Sequence, residues 1–138
     1  MGWTRLYDMA GVTTLSSAII ANNNWIKEGK NQDALRRFLR ASQRGWQYAF
    51  DNRAEAAEIF RKAAPVFTQE IALLEVDGTM SIIRTERAKG KPIGWTATED
   101  WKDTQDLLST FAKLSPQSDL SVYFTNGFLS EAPYLPGK

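Results

Sequence analysis

The sequence predicts an α/β fragment that is mostly α-helical, with one returning strand followed by four or so helices. Residues 12–21 are β-branched and aliphatic, as is typical of a strand. From about residue 31 to residue 50, apolar residues recur at helical spacing. No other segment offers the strand an evident partner, and a lone strand leaves its N–H and C=O groups unpaired. We therefore expect its partners to come from upstream sequence, from a second copy or from weaker segments such as residues 121–125.

The first long helix follows an asparagine run and has a distinct apolar face. Asn22, Asn23 and Asn24 end the strand, because Asn tolerates the left-handed backbone region and caps helices. Asp33 lies in the first turn of the helix, where a negative charge favours the positive end of the helix dipole. The positions expected to face inward are Leu35, Phe38, Leu39, Ser42, Trp46, Ala49 and Phe50.

Two shorter helices are predicted after it from their capping residues. Asn52, with the acidic Glu55 three positions later, predicts a capped helix over residues 53–63. Thr68 predicts the start of a third helix over residues 69–86. Both segments carry apolar residues at helical spacing, so each is expected to bury one face.

The last helix and the tail complete the domain organisation. Thr96 and Glu99 have the spacing of a capping box and predict a helix through about Lys113. Its expected inward positions are Trp101, Leu107, Leu108 and Phe111. We expect a single or partial domain over residues 1–138, divided into a hinge and strand over 1–21, a helical part over 22–114 and a C-terminal tail over 115–138.

Composition argues against several classes of function. Hydrophobic residues make up 43% and aromatic residues 12% of the 138 residues, which argues for a folded chain. A formal net charge of +1 is too small to recruit nucleic acid by itself. The chain has no His and no Cys, so the commonest general base and the commonest low-pKa nucleophile are missing. We therefore expect no catalysis, no metal and no cofactor.

The candidate ligand-binding residues are Gly11, Thr13, Thr14 and Trp95. Small and hydroxylated residues at the start of a buried strand suit a hinge or the floor of a cleft. The alternative is that Thr is simply favoured in strands. Trp95 follows the Lys91-Pro92 pair and is expected either to close over a ligand or to seal the edge of the helices.

An arginine stripe on the long helix has two interpretations as well. Arg36, Arg40 and Arg44 recur at four-residue spacing, away from the apolar face. Such a row is usually the solvated face of a helix. It also has the chemistry to bind phosphate or an acidic partner, provided that the guanidinium groups are oriented into a cleft.

The order of these features resembles a known family. The strand SSAIIA, the link NNNWIKE and the helix DALRRFLRASQRGWQYA, followed by GKPIGW, TEDW and YFTNGFL, are similar to the C-terminal part of ABC-importer substrate-binding proteins of the nitrate, sulfonate, taurine and pyrimidine-precursor family. The resemblance implies a type II periplasmic binding protein fold, in which two α/β lobes hold the ligand between them. This chain would supply the returning strand and the C-terminal helices of the first lobe.

The resemblance also implies a function. A protein of this kind binds a small organic solute by lobe closure, without chemistry, and delivers it to an ABC permease in the membrane. The implied location is periplasmic, although residues 1–12 contain no signal peptide, and the implied partner is an upstream N-terminal half. The region from Gly11 to Thr14 would border the cleft. A related branch makes the thiamine pyrimidine with His and a Cys-rich motif, which this chain lacks.

Two alternatives have no transport role. One is a free-standing helical protein-interaction module that uses the arginine face, and Arg40→Glu would abolish its partner binding. The other is a homodimer in which two copies of residues 12–21 pair as strands, and Pro at Ile19 would abolish that dimer.

Overall fold

A computed structural model describes residue 15 and residues 17–130 of the chain. The described residues form two compact units: one contains residues 20–96 with 125–130, the other residues 15, 17–19 and 97–124. The first unit contains helices α1 (Asn23–Ile26), α2 (Gly29–Asp51), α3 (Arg53–Ala63) and α4 (Gln69–Ile82) and the 3₁₀ turn Glu86–Ala88. The second contains α5 (Thr98–Ala112) and the 3₁₀ turn Leu120–Val122. The prediction of a mostly helical chain is confirmed.

The predicted strand is not formed in its described part. Residues 15 and 17–21 have no regular secondary structure, and the rest of the predicted strand lies outside the described residues. Ile19 is 55% and Ile20 is 92% exposed. Residues 121–125, considered as a weak partner, lie in and after a 3₁₀ turn instead. A strand needs a neighbour for its backbone hydrogen bonds, and the described part of the chain provides none.

Two of the predicted helix caps are confirmed. The Asn22 side chain accepts hydrogen bonds from the backbone N–H groups of Asn24 (2.8 Å) and Trp25 (3.3 Å) at the start of α1. The Thr68 hydroxyl accepts one from the N–H of Ile71 (3.3 Å) at the start of α4. Both side chains satisfy donors that a helix N-terminus leaves unpaired.

Asn52 occupies the predicted N-cap position of α3, but its capping bond is not formed, and Thr96 is not the N-cap of α5. The Asn52 side chain makes no capping bond to α3 and donates to the Tyr48 carbonyl of α2 at 3.0 Å. The start of α5 is capped by Ala97 rather than by Thr96, and both backbone groups of Thr96 bond the Asn126 side chain instead. At the start of α5 a tertiary contact has replaced the local capping contact, whereas Asn52 bonds a carbonyl four residues earlier, in the preceding helix.

The helix ends agree closely with the predicted ranges, with one exception. The α3 helix spans Arg53–Ala63 as predicted, and α5 ends at Ala112, followed by Lys113 as the C-cap in the left-handed backbone conformation at φ 59°. The α4 helix ends at Ile82, before the predicted residue 86. The chain turns there into the segment that buries Ala88, which is 2% exposed.

The buried positions differ from those expected on α2 and α5. On α2, Leu35 is buried, but Phe38 is 57% exposed while Gln43 is 3% exposed. On α5, Phe111 is 78% exposed, while the polar Asp100 and Gln105 are buried. The buried apolar side chains among the described residues are mostly small: Leu35, Ala57, Ala72, Met80, Ala88, Ile93 and Ala97. Many large apolar side chains therefore remain at the surface.

Candidate ligand-binding region

Trp95 lies at the end of a tight turn whose shape depends on two glycines. Gly90 and Gly94 have positive φ angles of 74° and 89°, which Gly adopts without steric cost. The Trp95 N–H donates to the Pro92 carbonyl at 3.0 Å. The Lys91 ammonium lies 5.4 Å from the centroid of the half-buried Trp95 ring, within the range of a cation–π contact. One face of the ring is thus turned toward this cation, and a role in ligand binding stays a prediction.

The turn is fastened to the C-terminal segment by Asn126. Its side-chain amide donates to the Thr96 carbonyl at 2.8 Å, and its Oδ1 accepts from the Thr96 N–H at 3.2 Å. This pair of bonds satisfies both backbone groups of one residue with one side chain. Close by in sequence, Leu129 approaches Gly94, where an added Cβ would lie 3.5 Å from Leu129 Cδ2.

Gln43 joins helix α2 to the same two segments. Its buried side chain donates to the Ile93 carbonyl at 3.0 Å and accepts from the Ser130 N–H at 3.3 Å. Gln43 and Asn126, which we call the amide clasp, thereby hold the turn around Trp95 and residues 125–130 against α2. The buried Gln43 amide and the half-buried Asn126 amide are stable there because both carbonyl oxygens and both amide nitrogens find partners.

The arginine stripe divides between the clasp region and the surface. Arg36 donates to the Gly127 carbonyl at 2.8 Å, and its guanidinium lies 5.0 Å from the centroid of the Phe128 ring. Arg40 and Arg44 are exposed. Of the three, Arg36 is thus engaged by the C-terminal segment of its own unit.

The unit that contains α5 has an aromatic stack on one side of the helix. The Trp101 ring stacks on Tyr123 (6.0 Å between centroids) and on Phe124 (5.2 Å). Gln105 Oε1 accepts from the Gln117 N–H at 2.8 Å and from the Tyr123 hydroxyl at 3.1 Å. These contacts hold residues 117–124 against the helix.

A shallow, open depression lies beside this stack. It combines one aromatic ring with hydroxyl groups and one carboxylate, which suits weak contacts with a small polar molecule. The Asp119 carboxylate accepts from the Ser121 N–H at 2.9 Å, and hydrogen bonds from Ser121 lower the pKa of Asp119. The lining residues are Thr98, Ser118, Asp119, Leu120, Ser121 and Phe124.

Two further titratable groups have shifted pKa values. The pKa of Tyr48 is raised by its hydrogen bond to the Glu55 carboxylate, and that of Lys102 is raised by Asp106 on the same helix. These side chains are exposed.

The structure describes the position of one of the four predicted site residues, Trp95, and tests the binding role of none of them. Gly11, Thr13 and Thr14 lie outside the described residues. The depression beside α5 is not lined by Trp95. Sequence reasoning missed the clasp residues, although a Gln within the apolar face of α2 was a signal that its amide has a buried partner.

Comparison with known proteins gives one similarity. A family model described as NMT1/THI5 like matches residues 4–56, from the N-terminal segment through α2 into the start of α3. No curated protein and no solved structure matches the chain. The match supports a relationship of this stretch to the periplasmic binding proteins for nitrate, sulfonate and thiamine precursors. The mostly helical structure is consistent with a C-terminal fragment of a type II binding protein.

Proposed function

We propose that this chain is a fragment of the substrate-binding component of an ABC importer. In this role it binds a small organic solute by closure of two lobes, with no covalent chemistry, and presents it to a membrane permease outside the cytoplasm. The observation that carries the proposal is the family match over residues 4–56. The matched stretch contains both the apolar run of the predicted strand and the long helix α2.

The exposed apolar run supports the need for a further part of the protein. Ile19 and Ile20 lie immediately before α1 and are largely exposed. Their β-branched side chains fit a half-buried or buried strand. An upstream N-terminal half that contributes the neighbouring strands would satisfy their backbone groups and cover their side chains.

The proposed ligand contacts are Gly11, Thr13, Thr14 and Trp95. In a closed binding protein, small residues and hydroxyl groups line the cleft and an aromatic ring covers the solute. The amide clasp holds the turn that contains Trp95 on α2. A ring in a fixed position of this kind suits such a role. Among the described residues, no helix is both long enough and apolar enough to cross a membrane.

The alternative of a helical interaction module is less well supported. Its arginine face requires free guanidinium groups, but Arg36 is engaged by the Gly127 carbonyl and the Phe128 ring. Arg40 and Arg44 are exposed.

The first experiment is to read the coding DNA upstream of Met1 and to express the longest open frame. We expect an in-frame first lobe, and a protein that binds a solute from a panel of nitrate, sulfonates, taurine and pyrimidines in isothermal titration calorimetry. The 138-residue chain should bind the same solute weakly or not at all. A stop codon directly upstream, or a longer protein that binds none of the panel, would count against the proposal.

Trp95 is tested in the same longer protein. Trp95→Phe should preserve folding and weaken solute binding, since it removes the larger ring. Trp25→Phe, which changes an exposed Trp on α1, is the matched control. Equal affinities for the two variants would exclude Trp95 from the ligand site and leave the transport role standing.

A further inference from the structure

The depression beside α5 has a mixed lining that matches one class of ligand. Its volume is about 470 Å³, which lies within the range of small-molecule sites. The lining contains the Asp119 carboxylate, the Phe124 ring and the hydroxyl groups of Thr98, Ser118 and Ser121. A carboxylate, an aromatic ring and several hydroxyl oxygens together form a surface that accepts hydrogen bonds and attracts positive charge.

The Asp119 carboxylate keeps acceptor positions that the fold does not use. It accepts a hydrogen bond from the Ser121 N–H at 2.9 Å, and its pKa is lowered by hydrogen bonds from Ser121, so it is ionised at neutral pH. An ionised carboxylate offers about four acceptor positions, and the bonds from Ser121 fill only part of them. No lysine or arginine belongs to the lining, so no residue of the depression neutralises this charge.

The Phe124 ring is held in place from within the same unit. It stacks on Trp101 with 5.2 Å between the ring centroids and 5° between the ring planes. On either side of Asp119, the Gln117 N–H and the Tyr123 hydroxyl both bond the buried Gln105 side chain. The lining is therefore formed before a ligand arrives, which lowers the entropy cost of binding.

The charge of the unit that contains α5 favours a cation. Residues 97–124 carry five carboxylates and two lysines, although the whole chain has a formal net charge of +1. Both lysines are engaged, since Lys102 pairs with Asp106 and Lys113 donates to the Thr110 carbonyl at 3.3 Å. An excess of carboxylates raises the local concentration of cations and lowers that of anions.

We propose that this depression binds a small organic ammonium ion. The ammonium N–H groups donate to the Asp119 carboxylate and to the hydroxyl oxygens of the lining, while the carbon skeleton and the positive charge lie against the Phe124 ring. A calcium ion fits less well, because it takes about 6–8 oxygen ligands and the lining offers a single carboxylate. Binding is weak, because Asp119 is exposed and exposed ion pairs contribute little.

This inference goes beyond the proposed transport role. None of the proposed solute contacts, Gly11, Thr13, Thr14 and Trp95, belongs to the lining of the depression. An ammonium ion is also opposite in charge to nitrate and to sulfonates, which the carboxylate of the depression repels. The ammonium site and the transport role are therefore tested with different molecules.

The test is a titration of the 138-residue chain with n-butylamine, followed by nuclear magnetic resonance of the backbone amides. Butylamine is an ammonium ion at neutral pH, as a lysine side chain is. We expect saturable shifts of the amides of residues 118–124, with a dissociation constant of about 1–10 mM. n-Butanol has the same carbon skeleton without the charge and should bind at least about ten times more weakly.

Two pairs of variants assign the contacts. Asp119→Asn removes the charge but keeps an oxygen for the Ser121 N–H, and it should weaken butylamine binding about ten-fold or more. Glu99→Gln removes the same charge from an exposed residue outside the lining and should change the affinity less than about two-fold, because salt screens the more distant charge. Phe124→Leu should weaken binding about three-fold, whereas Tyr123→Leu, which removes the other ring stacked on Trp101, should not.

Four results would overturn the proposal. These are the absence of saturable shifts at residues 118–124, equal affinities for butylamine and butanol, equal weakening by Asp119→Asn and Glu99→Gln, and binding of calcium chloride at the same amides more tightly than butylamine. The last result would identify a metal site instead. Circular dichroism should show unchanged helix content for every variant. None of these results involves the transported solute, so each is distinguishable from failure of the transport role.

Discussion

Replacing Gln43 by Leu should destabilise the unit formed by α1–α4 through loss of the amide clasp. The Gln43 side chain is 3% exposed and bonds both the Ile93 carbonyl at 3.0 Å and the Ser130 N–H at 3.3 Å. Leu has a similar size but satisfies neither group. Because a buried backbone group without a partner costs about 1–3 kcal/mol, the Ile93 carbonyl alone accounts for a substantial loss. The half-buried Ser130 adds less, since water can reach it.

The expected net loss is about 2 kcal/mol in the free energy of unfolding, after the gain from burying an apolar side chain is subtracted. Urea unfolding followed by far-ultraviolet circular dichroism measures it, as a lower midpoint with an unchanged slope. Gln47→Leu is the matched control, because Gln47 lies one turn further along α2 and bonds the exposed Asp51 side chain at 3.0 Å. That pair contributes about 0.2–0.5 kcal/mol.

The urea midpoint of Gln43→Leu should lie below those of the unchanged chain and of Gln47→Leu. Equality with either one would refute the argument that the Gln43 bonds stabilise the fold. The double variant with Asn126→Ala provides a further check. Gln43 and Asn126 both fasten residues 125–130. The loss of stability in the double variant should therefore be smaller than the sum of the two single losses, by about 0.5 kcal/mol or more. Strict additivity would mean that the two amides act on independent segments.

Three further predictions concern the turn beside the clasp and the cap of the 3₁₀ turn. Asn126→Ala should lower the free energy of unfolding by about 1–3 kcal/mol. Amide hydrogen exchange across residues 93–97 should become faster. Unchanged exchange there would mean that Asn126 does not hold this turn in place. Gly94→Ala should cost about 1–2 kcal/mol in urea unfolding, because an L-residue is strained at φ 89°, whereas Gly29→Ala in α2 should be neutral or stabilising. Hydrogen bonds from Ser121 lower the pKa of Asp119 in the folded chain below its ordinary value of 3.8. The stabilisation that the Asp119 carboxylate gives to the 3₁₀ turn is therefore present above pH 3.8 and is lost as the pH falls through the lower pKa of the folded chain. Nuclear magnetic resonance titration of the carboxyl should give a midpoint below 3.8, and a midpoint above it would contradict the hydrogen bond.

The helices could be predicted from local signals because those signals act within a few residues. The spacing of apolar residues and the cap at Thr68 are sufficient for α2 and α4, and the bounds of α3 agree at both ends. For α5, the predicted start agrees with the structure to within about one residue, but the predicted capping residue was wrong. There the Thr96 peptide bonds Asn126, thirty residues later in the chain, and no local pattern predicts that competitor.

The sequence alone determined the longer helices α2 to α5 and the absence of His and Cys, and it predicted that the apolar run near Ile19 needs outside partners. Tertiary structure decided which side chains are buried. Gln43 is buried because two distant backbone groups satisfy its amide, while Phe38 on the same helix is exposed because nothing described packs on it. Helical periodicity identifies a face of a helix, but only the neighbouring segments determine whether that face is covered, since burial and hydrogen bonding depend on contacts between residues far apart in the chain.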